Sequence, residues 1–210
     1  MNNVSVCITS YYADYYLIYD LLKEFSKQTE APSEIIFYSS GINYIHDIPD
    51  NLIVSNSLVP IYKIFNKQKT IQSIARNICS KIASSDIVIF FDVDDIPHFQ
   101  KIEITKHVFI TYKPDFLLHN YSQNLSQEYI NKNLVEIRND LTIDENSTNL
   151  YCGGLSIHHA HIAVRKNVFR KVRFNESLQT YRREDGIFCQ DLVRNNFKGV
   201  YTPEKLVQYN

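Results

Sequence analysis

The amino-acid sequence predicts an α/β fold with a mainly parallel central sheet flanked by helices. Three patterns point there. A strand–helix–strand succession occupies about the first forty residues, a second helix runs into the most apolar strand of the chain at 86–91, and another helix and strand come directly after it.

Residues 4–9 are a short apolar run with β-branched side chains, closed by polar Ser10, Tyr11 and Tyr12: a buried strand ending in a loop. Asp14 is placed to cap a helix in which Tyr15, Ile18, Tyr19, Leu22 and Phe25 recur at helical spacing. Pro32 ends that helix, and residues 34–38 form a second strand, stopped at Ser39, Ser40 and Gly41. The stretch 42–67 is less regular, with a short strand at 51–54. From 70 to 83, Ile71, Ile74, Ile78 and Ile82 mark an amphipathic helix. Residues 86–91 run straight into Asp92-Val93-Asp94-Asp95; Pro97 starts a helix through 112, and 116–119 make one more strand. Polar, Asn-rich 120–150 reads as a long loop. Beyond the Gly153-Gly154 break come a strand over 155–164 and helices over 166–170 and 184–195. No repeat or linker divides the 210 residues, a length suited to one well-buried domain.

The composition is 44% hydrophobic and 21% charged, with a net charge of −1. Nucleic-acid and membrane-surface binders normally carry a basic excess, so neither partner is expected. The N-terminus lacks the basic and apolar regions of a secretory signal, and no stretch approaches the roughly 20 apolar residues of a membrane helix. Cys7, Cys79, Cys152 and Cys189 are scattered without a C-x-x-C pair, which fits reduced core thiols in a cytoplasmic protein. The glycosylation sequons at Asn3, Asn124 and Asn146 are then chance matches.

Three carboxylates directly after a buried strand repel one another and resist desolvation, so they call for compensation. A divalent cation supplies it. Oxygen ligands favour Mg²⁺ or Mn²⁺, and the carboxyl end of a parallel strand is where α/β sheets hold ligands. The plainer alternative is a solvated acidic turn in which Asp95 caps the next helix.

The ordered set of motifs resembles the GT-A-fold glycosyltransferases, especially the family-2-like inverting enzymes. Residues 4–11 are similar to their opening strand and nucleotide loop, 34–41 to their second strand. Ala75-Arg76-Asn77, a helix, then Phe91-Asp92-Val93-Asp94-Asp95 are similar to their A-R-N and F-x-D-x-D-D block. The likeness continues through 163–169, 172–176 and Arg183-Glu184-Asp185-Gly186. The compactness is similar to the small capsid-glycan glycosyltransferases of large algal viruses, which would place the protein in a host cytoplasm. The resemblance implies a nucleotide-sugar donor, with UDP the default, and a glycan or glycoprotein acceptor; the domain is compatible with a place in a longer multidomain chain. It divides the domain into a nucleotide-sugar-binding half, 1–119, and an acceptor-binding catalytic half, 120–210. Thr9, Ser10, Tyr11, Ser39, Ser40 and Gly41 would surround base and ribose, and Arg76 would approach the nucleotide or diphosphate. Asp92 would meet the ribose and lie near the metal, Asp94 would hold the metal, and Asp95 would lie near the donor sugar or behind the metal.

Glu184-Asp185 falls where the resembled enzymes carry their E-D pair. Asp185 would be the general base for an inverting transfer and Glu184 would hold an acceptor hydroxyl. Two acids in a first helical turn are also what the helix dipole favours. His158, His159 and His161 lie on an expected strand, which places His159 and His161 on one face. His159 is the candidate to complete the metal shell. Two rival readings remain: a haloacid-dehalogenase-like phosphatase using Asp92 and Asp94, and a non-catalytic carbohydrate-binding domain.

Overall fold

The computed structural model describes residues 3–11, 13–43, 47–157 and 161–210. In chain order the elements are β1 Val4–Tyr11, α1 Ile18–Ser26, β2 Glu34–Ser40, β3 Asn51–Val54, β4 Ser57–Asn66, α2 Gln72–Ile82, β5 Ile87–Asp92, β6 Ile96–Pro97 and α3 Lys101–Thr111. The remaining elements are β7 Phe116–Ser122, β8 Leu141–Ile143, β9 Leu150–Cys152, β10 Leu155–Ile157, β11 Ala163–Arg165, α4 Glu184–Arg194 and β12 Gly199–Gln208.

Nine strands form one sheet in the order β3-β4-β2-β1-β5-β11-β7-β12-β6, and β10-β9-β8 form a small second sheet. Strands β4, β2, β1 and β5 are mutually parallel. β11 runs antiparallel to both β5 and β7, so β7 and its parallel neighbour β12 share the direction of β5. The expected mainly parallel sheet is therefore present, with reversed strands at β3, β11 and β6.

Alternation of side chains across the pleat divides the core into two layers. Val4, Val6, Ile8, Ile87, Ile89 and Phe91 pack on one face with Leu22 and Phe25 of α1 and Ile104 and Val108 of α3. Cys7, Ile36, Val88 and Phe90 pack on the other with Ala75 and Cys79 of α2 and Phe188 and Leu192 of α4. All four cysteines are buried thiols rather than disulfides.

Several elements depart from expectation. β4 and β12 lie where the sequence predicts no strand. Each carries an internal proline, Pro60 and Pro203, and β12 shifts register between Thr202 and Lys205. Pro97 does not start a helix: Ile96 and Pro97 pair with Gln208 and Val207 at the sheet edge, where a missing N–H is tolerated, and α3 begins at Lys101. The Asp14 side chain makes no capping bond; a short 3₁₀ turn at Tyr15–Leu17 leads into α1. In α2 the isoleucine stripe is not the buried face. Ser73, Ala75, Arg76, Cys79 and Ser80 face inward, and Ile82 is 46% exposed. Small residues let the helix approach the sheet closely while Arg76 reaches its partners.

Gly199 opens β12 beside β7. A Cβ there would overlap the fully buried Phe116 ring and approach Leu141 Cδ1 to 2.5 Å. Gly199→Ala should therefore destabilise the fold by about 1–3 kcal/mol through overpacking. Urea denaturation checks this, and an unchanged midpoint would contradict the packing described.

Candidate active site

The carboxyl ends of β1, β2 and β5 meet at one edge of the sheet, because these strands are parallel and in register: Thr9 lies beside both Tyr38 and Asp92. Thr9, Ser10, Ser39 and Ser40 are buried at this edge, while Tyr11 and Gly41 are half-buried. Ser10 Oγ and Ser39 Oγ have no hydrogen-bond partner among the described residues. Buried polar atoms are nearly always satisfied, so these two hydroxyls mark a place for a polar ligand. Gly41 holds φ at +79°, and its N–H donates to the Asn66 carbonyl at 2.8 Å, which turns the chain sharply after β2.

Arg76 is 2% exposed and joins this edge to the start of α4. Its Nη2 donates to Asp92 Oδ1 at 3.0 Å, its Nη1 donates to Asp185 Oδ1, and Glu184 Oε1 lies 3.8 Å from Nη1. The guanidinium also stands over the Phe174 ring at 5.5 Å. Burial alone would lower the Arg76 pKa. Asp185, Asp92 and Glu184 reverse that and raise it, so the guanidinium stays charged. Burial pushes Asp185 up to about 7, against the pull of Arg76 and with the help of Asp92 and Glu184. Arg76 is thus neither a surface residue nor a side chain pointing only at a nucleotide. It is the internal counter-ion of three acids from two elements.

Asp92, Asp95 and His161 bring ligand atoms within 4.8 Å of one another. Asp95 is 2% exposed; its Oδ2 is 2.6 Å from His161 Nε2, and its Oδ1 accepts the Asn210 N–H at 2.9 Å. The Asn210 side chain donates to the Asp94 carbonyl at 2.6 Å. Asp94 stands exposed at the mouth, where partial desolvation first and then Asp95 raise its pKa. Behind the acids, buried Lys101 contacts His119 Nε2 at 2.5 Å, and desolvation lowers the Lys101 pKa to about 7.

His158 and His159 lie outside the described residues. His161 is in a turn rather than on a strand, and it precedes β11. It reaches the acids because β11 runs antiparallel to β5: Ala163 pairs with Ile89, and the Phe90 N–H donates to the Ile162 carbonyl at 3.1 Å. The strand alternation expected from the sequence therefore does not apply to it. Lys101, His119 and Asn210 carry no sequence signal as site residues; Lys101 sits in a helix otherwise marked by Ile102, Ile104 and Val108.

An acidic cluster at the carboxyl end of a central strand, facing buried hydroxyls on its neighbours, stands where α/β sheets hold their ligands. The family model of glycosyl transferase family 2 matches residues 5–173, and the chain belongs to that family. Membership excludes the phosphatase alternative. The match ends before Glu184 and Asp185, so their case rests on geometry.

The fold is similar to residues 1–349 of S. aureus TarS, with a TM-score of 0.69 and 14% identity over 98% of this chain and 59% of that one. TarS 1–349 in complex with UDP-GlcNAc gives 0.68 and 14%, over 98% and 57%. The mannosyltransferase PcManGT from Pyrobaculum calidifontis, in complex with GDP-Man and Mn²⁺, gives 0.65 and 12%, over 96% and 55%. The chain thus spans less than two-thirds of these relatives. A comparison with curated proteins gives no match.

Removing Arg76 leaves buried Glu184 and half-buried Asp92 and Asp185 uncompensated, so Arg76→Met should cost about 3 kcal/mol at neutral pH. In the variant the acids hold protons more tightly folded than unfolded. The loss should therefore shrink as pH falls to about 3, below the unfolded carboxylate range, and grow as pH rises. Denaturant titrations across pH check this; a loss independent of pH would contradict it.

Proposed function

We propose that the protein transfers a sugar from a nucleoside-diphosphate donor, UDP-linked by default, to a hydroxyl of a glycan or glycoprotein acceptor, with inversion at the anomeric carbon. The observation that carries this is the Arg76 bridge, which holds Asp185 beside the donor-edge carboxylate Asp92. The nucleoside diphosphates and Mn²⁺ named for the similar structures support the donor class.

In this reading 1–119 holds the donor. Thr9, Ser10, Tyr11 and Ser39 to Gly41 line base and ribose, and Asp92 meets the ribose. The buried hydroxyls of Ser10 and Ser39 supply unspent hydrogen bonds. A Mn²⁺ or Mg²⁺ ion would be held by Asp94 with Asp92. The carboxylates suit either ion, and His161 beside Asp95 gives the cluster the mixed oxygen–nitrogen character that Mn²⁺ accepts. Such an ion supplies charge neutralisation to the leaving diphosphate. Asp95, with both oxygens already engaged, orients His161 and the turn.

The second segment, 120–210, brings the acceptor. Glu184 is 6% exposed with Oε2 free of protein partners among the described residues, so it is set to take a hydroxyl. Asp185 accepts the acceptor hydroxyl's proton as that oxygen bonds to the anomeric carbon. The bond from that carbon to the diphosphate breaks, and the diphosphate leaves with the electron pair. Arg76 favours the ionised form of Asp185 against burial and fixes its direction. Four buried thiols outside any disulfide suit a reducing compartment, and we place the reaction in the cytoplasm. No helix among the described residues is long and apolar enough to cross a membrane.

Asp185→Asn should cut transfer about 10²–10⁴-fold while nucleotide and Mn²⁺ binding persist. Transfer at wild-type rate would return Glu184 and Asp185 to a helix-capping role. In the wild type kcat/KM should fall as pH drops through about 7, where Asp185 takes up a proton. A profile that stays flat from about pH 5 to about pH 8 would contradict base catalysis by this group. Asp94→Asn should abolish Mn²⁺-dependent nucleotide binding without loss of fold, and full activity after EDTA treatment would reject the metal assignment.

A further inference from the structure

At the opposite edge of the sheet lies a second concavity of about 410 Å³, between the end of α2 and the segment after β11. Lys81, Lys166, Arg170 and Arg173 line it, with Asp86 the one acid and Phe169 the one apolar side chain. Asp86 immediately precedes β5 and Asp92 ends it, so these two acids stand about 20 Å apart at about 3.3 Å per strand residue.

Its charge is unlike that of the rest of the molecule. Residues 165–173 carry five of the chain's 22 Lys and Arg residues and no acid, on a protein of net charge −1. None of the four lining cations forms an ion pair among the described residues, although acids elsewhere pair with Lys23, Lys27, Lys63, Lys106, Lys132, Arg138 and Arg194. Two of the four are held by the main chain instead. Lys166 donates to the Ala83 carbonyl, and Arg173 Nε donates to the Phe169 carbonyl at 3.3 Å, which leaves both Arg173 Nη groups available. Helix polarity favours Lys81 in the last turn of α2, but it does not gather four cations around one cavity.

We propose that this cavity is an anion-binding site, separate from the transfer centre, that takes a phosphate-bearing ligand. Planar guanidinium groups with free Nη donors match phosphate oxygens two at a time, and the cavity has room for a phosphorylated monosaccharide unit. Four cations gathered around one concavity, with Phe169 the one apolar residue that lines it, favour a discrete phosphate over a lipid surface, which a flatter face with exposed apolar side chains would suit better.

Calorimetric titration with inorganic pyrophosphate in EDTA and low salt tests this. EDTA removes any cation that would draw pyrophosphate to Asp92, Asp94 and Asp95, whose bare carboxylates repel it. Wild type should bind, added NaCl should weaken binding, and K81Q/R170Q should bind about tenfold or more weakly while keeping the wild-type melting temperature. Asp94→Asn should bind as wild type does. No binding by wild type, or equal binding by K81Q/R170Q, would overturn the proposal. So would sedimentation with phosphatidylglycerol vesicles that depends on Lys81 and Arg170 without any pyrophosphate binding, which would make the face a membrane-docking surface. The titration reads this cavity whether or not the chain transfers sugars.

Discussion

A guanidinium buried in a protein interior must be paired, and the pairing of Arg76 with Asp92, Asp185 and Glu184 organises the site. The three acids come from the end of β5 and the start of α4, more than ninety residues apart in sequence. The cation could not be buried without these acids, and it compensates their own partial withdrawal from water. The bridge therefore fixes the distance between the carboxyl end of β5 and Asp185 before any ligand arrives. That pre-organisation reduces the ordering required at the moment of reaction.

The second constraint is direction. β11 enters the sheet antiparallel between β5 and β7, so the residues just before it return to the edge where β5 ends. His161 is delivered to Asp95 by that reversal. β12 runs with β5, so the residues after it reach the same edge, and Asn210 meets Asp95 and Asp94 from there. The acidic turn is thus clamped by two segments distant in sequence. Its most buried member, Asp95, is held in place, and Asp94 is left at the mouth.

Much of this is legible in the sequence. The apolar runs at 4–9, 34–38 and 86–91, with the amphipathic spacing of α1, give the parallel core and put the acidic tetrad at its carboxyl edge. Residues whose roles depend on long-range register are not legible. β4 and β12 conceal their pairing behind Pro60 and Pro203. The isoleucines of α2 suggest the wrong inward face, because a stripe of apolar side chains outweighs small residues in such a reading, whereas Arg76 is drawn inward by acids that no local pattern locates. Lys101 and His119 form their buried contact between a helix and a strand, and that juxtaposition exists only in three dimensions.

The central claim is that the nucleotide and the ion sit together at the edge formed by Thr9, Ser39 and Asp92, within reach of Asp185. Crystals grown with Mn²⁺ and UDP, measured at the manganese absorption edge, test it most directly. The account predicts one anomalous peak beside the Asp94 carboxylate and the diphosphate, with the uracil ring against the ends of β1 and β2. A peak remote from Asp92 and Asp94, or a nucleotide bound away from Thr9 and Ser39, would contradict it.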